Sequence, residues 1–323
     1  MCLHGVLDYL LFLQMASWRL KKFANAPIFA TLVLVQETEI IGNETVPPAG
    51  GLALDAGYTP TPNDPPWNVG FAVGLWLLSV FLIFLLPSLA IIPYILSQPI
   101  DITNPDAAKA FLLSDPMAVL IQIGSVIPAH IITLAIAWCL ITRFGKYPLG
   151  QTLGWRMGGM RWWHILAIVI GFFIIAAILG YLLPGDENDL TKILSSSRAA
   201  VFLVAFLATF SAPFVEEIVY RGVLYSAVQR AAGYYPAIAI VTIAFAGVHF
   251  FQYWGSPGSL IGISILSLVL TLTRARTNNL LPCIVLHFIF NGLQSLLLVL
   301  QPVTSNSTPD AQTAASALLH LVH

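Results

Sequence analysis

The chain has 323 residues, 58% hydrophobic and only 9% charged, with a formal net charge of −1. Soluble domains carry about 25% charged residues, so a soluble globular fold is excluded, and the mean hydropathy of +0.84 agrees. No basic face is left for nucleic acid, which is not expected as a partner. The expected fold is all-α, a polytopic transmembrane helical bundle of about seven or eight spans.

The first stretch, MCLHGVLDYLLFLQ, lacks the basic start of a signal peptide. From Met15 onward, MASWRLKK followed by FANAPIFATLVLV comes closer, yet no small-x-small cleavage site follows. It reads as an anchor, or as residues ahead of the true start. Residues 36–68 are rich in Pro, Gly, Asn and Thr, the composition of a linker. Residues 1–68 are therefore expected to be a weakly ordered or anchoring N-terminal segment. Asn43-Glu44-Thr45 fits a glycosylation sequon and nothing else supports it.

A spanning helix needs roughly 20 apolar residues. Runs at 69–96, 117–142, 162–183, 199–220 and 279–300 qualify. Two shorter runs, 236–251 and 259–273, are counted as shallow or broken spans because loop signals bound each one. A transmembrane domain over 69–300 and a C-terminal tail over 301–323 follow. Cys2, Cys139 and Cys283 have no paired spacing, so neither a disulfide framework nor a zinc ribbon is indicated.

Lys and Arg near span ends set orientation. Loop 143–161 carries Arg143, Lys146, Arg156 and Arg161 without an acid and is expected on the cytoplasmic side. Loop 184–198, with Asp186, Glu187 and Asp189, falls on the other side. By alternation Arg221, Arg230, Arg274 and Arg276 return to the cytoplasmic side, and Trp162 and Trp163 sit at an interface.

A charge deep in a span costs roughly 2.5–3.5 kcal/mol on insertion scales. Such residues pair, line a cavity or do chemistry. Here they are Glu216, Glu217, Arg221, His249, His287 and Asn291, with an isolated His130. His130 is read as a helix–helix hydrogen-bond partner. Glu217 and Arg221 are four apart and share a helix face, so they can pair. Glu216 is turned about 100° from Glu217 and is the carboxylate without that cation. It is the expected base, although spacing leaves the reverse assignment open. His287 and Asn291, in HFIFN, share a face, as do Phe245 and His249 in FAGVH. Helical rise places Glu216 and His249 roughly 20 Å from the cytoplasmic surface, His287 roughly 12 Å and Asn291 roughly 18 Å. Three helices thus deliver acid, imidazole and carboxamide to similar depths. A carboxylate can take a proton from water. Imidazole can orient that water, bind a metal or protonate an amine. A carboxamide can donate to an oxyanion. The set suits attack of water on a peptide carbonyl.

EEIVYR (216–221), FAGVH (245–249) and HFIFN (287–291) match EExxxR, FxxxH and HxxxN in that order. This resembles the CPBP family of intramembrane proteases, which includes type II CAAX prenyl endopeptidases and bacterial Abi, or bacteriocin-processing, proteins. The resemblance covers about 199–300. It implies a hydrolase acting on a peptide or membrane-protein substrate in the lipid bilayer. Glu216 would activate water, His249, His287 and Asn291 would hold it and the oxyanion, and Glu217 and Arg221 would complete the first motif. The family is described both as metalloproteases and as glutamate-dependent enzymes. His249, His287 and Glu216 are ligand types suited to zinc, so a divalent metal is one expectation and a metal-free site the other. The expected location is the plasma membrane, multi-pass, with the site opening to the cytoplasmic side. HExxH, GxSG, GxGD and GxSxG motifs are absent. Two rivals remain. One is a proton-coupled transporter, against which no inverted repeat of broken helices is visible. The other is a non-catalytic membrane scaffold or immunity protein.

Overall fold

A computed structural model describes residues 58–185, 189–250 and 252–300. The expectations for the N-terminal anchor, the Asn43 sequon, Cys2, Asp186, Glu187 and the tail fall outside these residues. The described residues are helical without a sheet, with one isolated bridge between Thr61 and Asp64.

Helix α1 (Val69–Leu96) starts where the Asn68 side chain accepts the Phe71 N–H, and it continues through Pro87 and Pro93. Helix α2 (Pro105–Ser114) leads to α3 (Pro116–Gly124), whose N-cap Asp115 accepts from Ala118 N–H. Helix α4 (Val126–Thr142) extends α3 into one span. The short α5 (Leu149–Leu153) precedes α6 (Trp162–Leu182) and α7 (Asp189–Ser196). Helix α8 runs from Arg198 to Ala232, α9 over Tyr234–His249, α10 over Pro257–Thr277 and α11 over Leu281–Leu300. Contacts divide the chain into two units. Residues 59–98 and 110 onward form one unit. In the other, residues 101–107 make a local turn in which Asn104 caps the start of α2 through Asp106 and Ala107.

Six helices are long and apolar enough to cross a membrane, and α9 is a shorter apolar one. The chain is an integral membrane protein with the expected all-α polytopic fold. Two boundaries differ from the sequence reading for one reason. The run read as 199–220 continues to Ala232, and the run read as 259–273 continues to Thr277. A hydropathy reading stops at Arg221 and at Arg274. Both guanidinium groups are fully buried and satisfied inside the bundle, so neither ends its helix.

Residues 61–67, read as the end of a linker, lie across one end of the bundle. Arg143 donates to Pro66 O at 2.6 Å, and Arg230 donates to Pro65 O and Trp67 O. Arg274 donates to Pro62 O at 2.6 Å and to Asn63 Oδ1 at 3.2 Å. The Trp67 indole N–H donates to Val223 O at 3.0 Å. At the same end Leu280 N–H bonds the carbonyl of Gly154 at 2.9 Å. Gly154 has φ +75, and a Cβ there would meet Asn279 and Pro62 at under 3 Å, so only glycine fits. The basic groups that alternation assigned to one side, from loop 143–161, α8 and α10, thus do share one end.

Candidate active site

Helix α8 carries the first motif, and its backbone is irregular there. Two π-helical turns, Leu207–Ser211 and Glu217–Leu224, flank a short α segment, Ala212–Glu216. Such π turns recur at functional sites. In the first of them Ala212 N–H donates to Leu207 O, five residues back. The next bond in that register would run from residue 213 to Ala208 O. Residue 213 is proline, which has no N–H. The Asn291 side chain from α11 donates to Ala208 O instead, at 2.9 Å.

Glu217 turns inward and is fully buried. Its Oε1 accepts from Arg221 at 2.9 Å and meets His287 Nδ1 at 2.8 Å. Arg221 also donates to Ser267 O at 3.1 Å, Ser267 Oγ at 2.9 Å and Thr271 Oγ1 at 3.3 Å, and stands over the Phe245 ring at 4.5 Å. Glu217 and Arg221 thus bind α8, α10 and α11 to one another and stand behind the cavity wall. Glu217 Oε1 and the Arg221 guanidinium are satisfied by these partners, while Glu217 Oε2 is buried without a hydrogen bond, so removing either charge would strand the other.

Glu216 faces the other way, as the helical offset required. It lines a cavity of about 660 Å³ together with His249, His287 and Asn291. Its side chain is 23% exposed, and Oε2 lies 3.8 Å from His287 Nε2, in ion-pair range but beyond a hydrogen bond. Spacing favours Glu216 as the unpaired carboxylate and leaves the reverse assignment open; the structure gives the two glutamates different surroundings.

Hydrogen bonding fixes how the imidazoles present themselves. His249 Nδ1 is 2.9 Å from Phe245 O. A carbonyl only accepts, so Nδ1 carries the proton and a neutral His249 offers the Nε2 lone pair. His287 is anchored through Nδ1 to Glu217 and presents Nε2 toward Glu216. Among the described residues no three His, Cys, Asp or Glu side chains lie together as a set that could hold an ion.

His130 bonds Ser211 across helices at 2.7 Å, the helix–helix contact expected of it, and it also lines the cavity. Sequence reasoning missed Tyr220 and Tyr253, both in the cavity wall. The available signal was spacing: each sits four residues after a motif residue, Glu216 or His249. Tyr220 packs edge-on against Phe245 at 5.1 Å. Its hydroxyl lies by the Trp76 indole, whose N–H makes no hydrogen bond of ordinary geometry.

The cavity wall also fixes where the site sits. Glu216 is roughly 24 Å of helix from Ala232 and roughly 27 Å from Arg198, near the middle of the span. Beyond these motif residues the wall runs to Gly185, Asp189, Gln252 and Ser259. These belong to the end of the bundle away from the 61–67 segment and the basic loop. The cavity lining thus extends toward the end opposite the one that gathers Arg143, Arg230 and Arg274.

Residues 198–293 match a family model described as type II CAAX prenyl endopeptidase Rce1-like. The matched stretch contains all three motifs and coincides with the part of the chain that resembles the CPBP family. At that level the match supports a CAAX-type intramembrane protease. No curated protein and no solved structure matches the chain.

Proposed function

We propose that this chain is an intramembrane endopeptidase of the CAAX-protease and bacteriocin-processing type, hydrolysing a peptide bond inside the bundle. One observation carries the proposal. Glu216, His249, His287 and Asn291, from three helices, line a single cavity at mid-span while Glu217 and Arg221 stand behind it.

The Glu216 carboxylate accepts a proton from water as the water oxygen bonds to the peptide carbonyl carbon. The Nε2 lone pair of His249 accepts the second O–H of the same water and aims it. His287, anchored through Nδ1 to Glu217, turns Nε2 into the cavity toward Glu216. Asn291 uses one N–H to brace α8 and has a second for the substrate oxygen. As the C–N bond breaks, Glu216 returns its proton to the amine nitrogen. The low-dielectric cavity strengthens each of these interactions relative to water. The substrate is a peptide segment of a membrane-associated protein.

Purified chain incubated with a peptide library, with and without a chelator, tests the proposal. New termini are expected with wild-type protein under both conditions and none with His249→Ala. An inert wild-type protein that drives proton-coupled uptake in liposomes would favour a transporter instead.

A further inference from the structure

Oxyanion sites commonly use more than one donor aimed at the oxygen that gains charge. In this cavity the supply is short. A neutral His249 presents a lone pair, and one Asn291 N–H is committed to Ala208 O. Tyr220 is buried beside Trp76 and Phe245.

Tyr253 differs from all of these. Its backbone N–H donates to His249 O at 3.1 Å, which holds it in the turn just past the end of α9. Its ring stacks on the His249 imidazole with centroids 6.4 Å apart and planes 28° apart. It lines the same cavity as Glu216, and its hydroxyl makes no hydrogen bond among the described residues. Burial, and then the negative charge of Glu216, push this phenol up to about 12, so it keeps its proton at neutral pH. A protonated hydroxyl without a partner, on a residue lining the same cavity as the proposed base, is a donor waiting for an acceptor.

We propose that the Tyr253 hydroxyl is a catalytic hydrogen-bond donor to the carbonyl oxygen of the scissile peptide. The inference rests on the endopeptidase reading above. When water adds to the carbonyl carbon, the C=O π pair moves onto oxygen, and Tyr253 O–H holds that oxyanion without giving up its proton. Collapse re-forms C=O, breaks C–N and sends the proton held by Glu216 to the amine. Tyr253 ends the cycle unchanged.

The test is peptide-library cleavage by Tyr253→Phe, which keeps the ring stack and removes only the donor. The expected loss is about 10²-fold in kcat with KM unchanged. A fluorotyrosine at position 253 keeps an O–H and is expected to retain turnover, which separates a lost donor from a misfolded variant. Wild-type kcat in Tyr253→Phe, or a rise in KM alone, overturns the assignment while leaving the endopeptidase reading intact. A wild-type protein that cleaves nothing overturns both.

Discussion

Asn291 donates to the carbonyl oxygen of Ala208 at 2.9 Å, the acceptor that Pro213 cannot serve from within α8. A side chain from α11 thereby repairs a gap in the backbone bonding of the helix that carries Glu216. The repair fixes the register of the π turn five residues ahead of the proposed base, so Asn291 shapes the site as well as lining it.

Asn291→Leu removes that donor and leaves Ala208 O unsatisfied. It should cost about 1–3 kcal/mol, read as a fall in thermal unfolding temperature in detergent. Pro213→Ala restores a backbone N–H and should recover part of the loss in the double variant. Independent, additive effects in that cycle would mean the two residues are not linked.

Glu217→Ala strands Arg221 in the bundle and releases His287. Removing one partner of a buried pair costs about 3–5 kcal/mol. The expected outcome is poor recovery of folded protein. A Glu217→Ala protein as stable as wild type would place this carboxylate outside the structural network.

Arg274 is fully buried, and its bonds reach Arg221 O, Pro62 O, Asn63 and Ser226. Arg274→Gln should loosen the 61–67 segment. Faster limited proteolysis within 59–67 is expected, and unchanged cleavage would show that Arg143 and Arg230 suffice.

Sidedness can be read directly. Lys146 lies in the basic loop and Ser259 in the far cavity wall. Cysteines placed at these two positions should react with a membrane-impermeant thiol reagent from opposite sides of a sealed vesicle. Labelling from one side only would contradict the arrangement of the bundle.

Much of this was legible in the sequence because a bilayer simplifies the problem. Apolar runs of spanning length stand out, so the helices 69–96, 162–183 and 279–300 lie within a residue or two of their observed bounds. The i,i+4 pairing of Glu217 with Arg221 and the opposite facing of Glu216 follow from helical period alone. What the sequence hid was tertiary. Arg274 reads as a span end because its partners, Pro62 and Asn63, lie more than 200 positions away. The brace from Asn291 depends on a π turn, and no residue pattern announces one. Tyr253 sits past the end of the apolar run, where helix periodicity is no longer expected, although its backbone bond to His249 continues the turn.

The most direct measurement is the cleavage rate of Glu216→Gln on the peptide library, taken beside its thermal unfolding temperature. Among the described residues the Glu216 side chain makes no hydrogen bond, and its nearest ionisable partner is His287 Nε2 at 3.8 Å. Wild-type stability with no detectable cleavage is the expected result. A Glu216→Gln protein that cleaves at the wild-type rate would contradict the assignment of Glu216 as the base.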